Sequence, residues 1–401
     1  MALLSLGMII AYVDRSNISV ALAVPEFNNL FQLTDADRGW VNSAFFWSYA
    51  FLQIPAGWVV DRYGVKFPYA ISFLFWSLIS AGTAFTNSIS QLFALRMLLG
   101  VGESVVTPAS MRWIRFNFPE ERRGFAVGLY MTGTKIGPAI GAPIAAWLIA
   151  AYGWRVMFLV LGLGCLFWLI PWLTLVENND RKLERQASAK QGAAAVPFGR
   201  IMASPVIWGT IIGTFCYMYF VYFCMTWMPA YFVERRGLSL QSMGLYTAFS
   251  FGGMATMAAF AGWWADRLIA NGGDPVRIRK RFTIAGFLMA STEVFGAMSN
   301  SNDVALFFAV FSLTGLGLTT ANYWALTQTL IPGGAIGRIV GVQNCAANLP
   351  GIAAPIFTGW LLEQTGSYDA PMQAIWFFLI LGVAAYVFLV KEEYAPKEIA
   401  T

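Results

Sequence analysis

Five charged side chains lie inside stretches that are otherwise apolar. Asp14 and Arg15 sit in YVDRSNISVA, Arg96 and Glu103 in RMLLGVGESVVTPASMRW, and Lys135 in GTKIGPAIG. A charge at bilayer depth costs at least about 2.5–3.5 kcal/mol, so a chain that keeps both signs there is using them on something charged. Cations at that depth can hold an anion, and carboxylates can take up and release protons. The chain has no histidine, which leaves the carboxylates to carry any proton chemistry. The chemistry indicated is carriage of an anion coupled to protons.

Spacing sharpens this. Arg96 and Glu103 are seven residues apart, which on a helix places them on one face about 10.5 Å apart along the axis. They suit an anion-binding or gating arginine and a protonatable carboxylate; a structural charge network would use the same pair. Asp14 and Arg15 are adjacent, so their side chains diverge by about 100° and cannot simply neutralise each other. Asp14 could instead bridge to a basic residue on another helix, and protonating it would then free that partner. Lys135 lies two positions into a ladder of Gly133, Gly137 and Gly141. Such a ladder allows close helix contact, and Lys135 points to a different face. It is either a contact for a second negative or strongly polar group on a ligand, or a structural partner of Asp14 or Glu103. Glu293 stands nearer the end of its apolar run, where a snorkelling or interhelical role fits better than proton coupling.

These residues need elements to hold them. The chain has 401 residues, 58% hydrophobic and 12% charged, against about 25% charged in soluble domains. Apolar runs of transmembrane length recur throughout. Twelve are counted, near 4–25, 39–60, 67–86, 90–113, 124–150, 155–176, 206–232, 240–265, 282–299, 303–330, 339–362 and 371–390. The expected fold is all-α and integral to the membrane, with twelve spans. The first run is too long for a cleavable signal peptide, lacks a basic region before it and carries Asp14 and Arg15 inside. With the N-terminus placed in the cytoplasm, four Lys/Arg fall outside (Arg38, Arg155, Arg235, Arg236), nineteen inside and three within helices. That is the positive-inside pattern. It places both termini in the cytoplasm, and it explains the net charge of +5 without nucleic acid. All four cysteines lie in apolar runs, at spacings that suit neither disulfides nor a metal. No P-loop is present, and with neither histidine nor metal spacing an enzyme is not indicated. The expected cofactor is none, with protons as the coupling ion; the expected partners are a small organic anion and the lipid bilayer, with the chain a monomer in a bacterial inner membrane.

The polar stretch 177–200 divides the helices six and six, giving bundles over 1–176 and 201–401 joined by a cytoplasmic linker. The halves repeat. Gly57-Trp58-Val59-Val60-Asp61-Arg62 follows the second run and Gly262-Trp263-Trp264-Ala265-Asp266-Arg267 the eighth. Residues 128–154 and 341–367 align without gaps, Gly128 with Gly341, Trp147 with Trp360, and Gly153 with Gly366. A parallel repeat of six-helix halves is a known transporter architecture.

GWVVDRYGVK (57–66) resembles the loop signature of the major facilitator superfamily, and GWWADR resembles its weaker second copy. More narrowly, YVDRSNISVA (11–20), RMLLGVGESVVTPASMRW (96–113) and MTWMPAYF (225–232) resemble the anion:cation symporters, which include bacterial sugar-acid transporters and the animal sialic-acid and vesicular glutamate carriers. The resemblance implies proton coupling at Asp14 and Glu103 and a substrate carboxylate on Arg15, whose planar fork suits bidentate binding. A related subgroup has a further acid four positions before the glutamate; here that residue is Leu99. Tyr49, Trp324 and Asn344 match substrate-contacting positions. Gln53 one turn from Tyr49, Tyr222, and Asn348 one turn from Asn344 complete a possible pocket with Arg96 and Lys135. Gly57, Asp61, Arg62, Asp266 and Arg267 read as conformational elements. The function expected is import of a small organic anion, a sugar acid above all, by proton symport through alternating access. Anion exchange or facilitated carriage of dicarboxylates or aromatic acids, without proton coupling, is the alternative.

Overall fold

A computed structural model describes residues 1–118, 120–177, 202–330 and 336–395. The sequence-drawn linker 177–200 therefore lies outside the described residues except for its first position.

Helical runs cover each of the twelve expected spans. They are α1 (Ala2–Ala21), the short α2 (Pro25–Phe31), α3 (Asp35–Tyr63), α4 (Lys66–Gly82), α5 (Ile89–Glu103), α6 (Val106–Asn117), α7 (Glu120–Tyr152), α8 (Trp154–Gly164) and α9 (Leu169–Leu175). Then come α10 (Pro205–Thr226), α11 (Leu240–Ala270), α12 (Pro275–Ser291), α13 (Glu293–Met298), α14 (Asn302–Leu330), α15 (Ile336–Thr365) and α16 (Asp369–Ala384). Among the described residues, eight runs are long and apolar enough to cross a membrane by length and composition, or nine if the bent pair α1–α2 is one span. The shortfall against twelve has physical causes. Four expected spans do not pass singly: α1, whose hydropathy Asp14, Arg15, Ser16 and Asn17 depress, α3, α11, and the ninth, which is broken at Thr292 between α12 and α13.

Local chemistry sets the boundaries. Thr34 and Asp37 form a capping box at the start of α3, with Thr34 Oγ1 accepting from Asp37 N at 3.2 Å and Asp37 Oδ2 from Thr34 N at 3.0 Å. Asp274 caps α12 by accepting from Arg277 N at 2.9 Å, with Pro275 in the first turn. The fourth span breaks after Glu103, where Pro108 has no N–H to offer the Ser104 carbonyl. Gly153 and Gly366, which the internal alignment pairs, turn the chain out of α7 and α15 with φ of 83° and 63°.

The described residues form two compact units, one from Met1–Gln191 with Met225–Ala248, the other from Gly192–Cys224 with Phe249–Thr401. The stretch after α10 and the start of α11 thus belong with the first unit, a division different from the cut at the linker. In the first unit α1 lies along α7. A Cβ at Gly133 would stand 3.0 Å from Met8 Cβ, one at Gly141 3.1 Å from Val13 Cγ2, and one at Gly137 would collide with Tyr12. The ladder's partner is therefore α1. Helix α5 is seated by Ser48 Oγ, which donates to Met97 O at 2.6 Å, and by Ser72 Oγ, which donates to Gly102 O. In the second unit Thr319 Oγ1 of α14 donates to Thr283 O of α12 at 3.0 Å.

Candidate functional site

All five charged residues singled out first fall in the first unit. Asp14 and Glu103 are 0% exposed, Arg15 3%, Arg96 4% and Lys135 8%. The central contact is an ion pair between neighbouring helices: Arg15 Nε of α1 donates to Glu103 Oε2 of α5 at 2.6 Å. The Arg15 guanidinium also lies over three rings, 4.5 Å from Tyr12, 4.7 Å from Phe45 and 4.4 Å from Tyr49. Tyr49 stacks on Phe45 at 5.1 Å and its hydroxyl meets Thr107 Oγ1 at 3.3 Å. Arg15 is thus held by an aromatic cradle from α1 and α3 while its charge is answered from α5.

Asp14 turns the other way, as adjacent helix positions must. It accepts from Ser80 Oγ of α4 at 2.7 Å and more weakly from Asn17 Nδ2 at 3.4 Å. Among the described residues Asp14 has no bridge to a basic residue on another helix; the buried bridge joins Arg15 and Glu103 instead. Arg96 lies 5.6 Å over Phe45 and forms no ion pair among the described residues. Glu103 Oε1, Asp14 Oδ2 and Arg96 Nε are buried without a hydrogen-bond partner among the described residues. Such atoms are costly. Lys135 makes neither an ion pair nor a hydrogen bond among the described residues. The structure does not pair it with Asp14 or Glu103.

The remaining pocket residues belong to both units. Gln53, one turn from Tyr49, is half-buried. In the second unit Tyr222 is buried on α10, and Trp324 packs on Tyr323 with centroids 5.3 Å apart. Asn344 is half-buried, and Asn348 Nδ2 donates to its carbonyl at 2.8 Å. That bond ties the Asn348 amide to its own helix. The buried amide that bridges helices there is Gln343, whose Nε2 donates to Thr214 Oγ1 at 2.8 Å while Oε1 has no partner. Sequence reasoning missed it, along with Ser80, Tyr12 and Phe45. Gln343 is next to Asn344, and the hydroxyl of Ser80 inside an apolar run was a usable signal. Glu293 is buried at the break between α12 and α13, beside Cys224, so it sits inside the unit and does not snorkel.

The repeated loops carry matched contacts. Asp61 pairs with Arg112 at 2.6 Å and Asp266 with Arg279 at 2.8 Å. Arg62 lies 5.3 Å over Trp58, and Arg267 5.5 Å over Trp263. A Cβ at Gly57 would meet nothing within 4 Å, so packing does not require that glycine. At the opposite end of α3, about 35 Å away on a straight helix, Arg38 pairs with Asp35 at 2.8 Å and Glu234 at 2.7 Å, donates to Leu22 O at 3.0 Å and lies 4.9 Å over Trp227.

Comparison with known proteins agrees with this architecture. The Major Facilitator Superfamily profile matches residues 4–355. A protein titled "Probable sulfoacetate transporter" from Cupriavidus necator is 31% identical over 395 residues, covering 95% of this chain and 90% of its own. A D-galactonate transporter from Escherichia coli O6:H1 is 28% identical over 97% of this chain and 94% of its own. A hexuronate transporter from Bacillus subtilis is 28% identical over 96% and 92%. Among solved structures, a bacterial homologue of the lysosomal transporter Spinster superposes with a TM-score of 0.79 at 18% identity, over 100% of this chain and 98% of that one. A D-xylose–proton symporter gives 0.78 at 16%, over 98% and 97%. At such identities these two structures speak for the fold alone. The chain belongs to the Major Facilitator Superfamily and is a multi-pass membrane transporter, not an enzyme.

Proposed function

We propose that this protein imports a small organic anion, a sugar acid above all, together with protons by alternating access. The observation that carries the reading is the buried Arg15–Glu103 pair at 2.6 Å. One side chain answers the cation that the substrate carboxylate would need. A proton on Glu103 cancels that competition and leaves the Arg15 fork to the substrate; loss of the proton restores the pair and expels the anion. Binding of anion and proton is then mutually dependent, which is coupling in the thermodynamic sense. Asp14, held through Ser80 on the far side of α1, supplies a second protonatable group. Two protons per monoanion would make uptake favourable against a negative-inside potential. The relatives named for D-galactonate, hexuronate and sulfoacetate support an acid substrate.

In this reading Tyr49, Gln53 and Arg96 of the first unit, and Tyr222, Trp324, Asn344 and Asn348 of the second, are substrate contacts. Asp61–Arg112 and Asp266–Arg279 act as latches that open and close during the cycle. The protein works as a monomer in the inner membrane with both termini cytoplasmic, and its coupling ion is the proton. The test is uptake of radiolabelled D-galactonate and D-glucuronate into proteoliposomes. Symport predicts accumulation that follows an imposed inward proton gradient and collapses with a protonophore. Exchange, with Arg15–Glu103 as a purely structural pair, predicts uptake only when anion is preloaded.

A further inference from the structure

The buried cations of the first unit differ in what answers them. Arg15 is paired with Glu103, and Arg96 shares a helix face with Glu103. Lys135 is 8% exposed, with no ion pair and no hydrogen bond among the described residues. A buried ammonium without a partner is costly, and a chain that keeps it gains when something supplies the missing charge.

We infer that Lys135 receives a second anionic group of the substrate, so that the preferred substrate is a dianion with its two acid groups a few bonds apart. This rests on the reading in which Arg15 takes the first carboxylate. The geometry holds the two cations in fixed relation. Gly133 lies against Met8 and Ile9, and Gly137 against Tyr12, so the register of α7 on α1 is locked. Interpolating between those contacts puts Lys135 level with residue 10 of α1, about 7 Å along the axis from Arg15. Lys135 lies on the face of α7 opposite the ladder that meets α1, so its long side chain and that of Arg15 would hold the two ends of an extended diacid. A monoanion would leave the ammonium facing a neutral group, which gives a weaker hydrogen bond than a second carboxylate or sulfonate.

The test is isothermal titration of the purified full chain at constant ionic strength with two matched pairs, D-glucarate against D-gluconate and succinate against succinamate. Each pair differs in one acid group. The wild type binds the dianion of at least one pair about tenfold or more tightly than its monoanion. Lys135→Gln removes that preference, weakening the dianion about tenfold while the monoanion stays within about threefold; Lys135→Arg keeps it. Thermal unfolding reports whether each variant is folded. A wild type with no dianion preference in either pair overturns the inference, as do equal losses for both members of a pair in Lys135→Gln. So does a Lys135→Gln protein that fails to fold, since the ammonium would then be a structural requirement. If D-gluconate binds and is carried with protons while the dianion preference is missing, this inference alone fails. If no member of either pair binds the wild type, the acid-substrate reading fails with it.

Discussion

Replacing Arg15 by lysine keeps the charge and discards the geometry. In the structure the guanidinium uses Nε toward Glu103 at 2.6 Å while its plane lies 4.4–4.7 Å from three ring centroids. When a substrate carboxylate takes the place of Glu103, the fork can offer it two parallel N–H donors and the rings keep the fork aimed. A lysine ammonium presents a point charge, on a shorter reach, with less to gain from stacking. The loss is at least one charge-assisted hydrogen bond, about 1.5–3 kcal/mol. At about 1.4 kcal/mol per factor of ten, affinity should fall ten- to a hundredfold. The assay is isothermal titration with D-gluconate, with a melting curve in parallel because Arg15 also bridges α1 and α5. A folded Arg15→Lys protein that binds within about threefold of wild type would refute the assignment of Arg15 to the substrate carboxylate.

Two further outcomes follow from packing and from the loops. Gly137→Ala drives a methyl group into Tyr12 and the Ile9 carbonyl, and overpacking of that kind costs about 1–3 kcal/mol; its melting temperature should fall, while Gly128→Ala, with nothing within 4 Å, should leave it unchanged or raised. Asp61 is 69% exposed in its pair with Arg112, so a double-mutant cycle read by thermal unfolding should show a coupling below about 1 kcal/mol; Asp61→Asn should nonetheless change the rate of counterflow several-fold with binding affinity unaltered, as a latch that opens in every cycle requires.

The burial of the charged residues and the internal repeat were legible in the chain. The charges at 14, 15, 96, 103 and 135 stood out because lipid is a poor solvent for them, and Gly153 and Gly366 aligned before their φ values of 83° and 63° were known. Partners were not legible. Arg15 and Glu103 are 88 residues apart, and helical periodicity says which face a residue takes but not which helix meets that face. The glycine ladder announced a close contact without naming α1 as the other side. The same gap hid Ser80 behind Asp14 and Gln343 beside Asn344, one position and about 100° away on the helix. Three spans that looked continuous are broken, after Glu103, after Thr226 and at Thr292, because apolar composition persists across a break that backbone hydrogen bonding does not.

The most direct test of the Arg15–Glu103 switch is substrate-induced proton movement in proteoliposomes, read by an entrapped pH dye, for wild type and Glu103→Gln side by side. Glutamine fixes position 103 in the neutral state, so the account predicts that D-galactonate addition acidifies the lumen of wild-type vesicles. The variant should show no acidification attributable to Glu103 and no accumulation against a gradient, while still exchanging labelled for unlabelled substrate. A variant that accumulates D-galactonate under a proton gradient as wild type does would contradict the account.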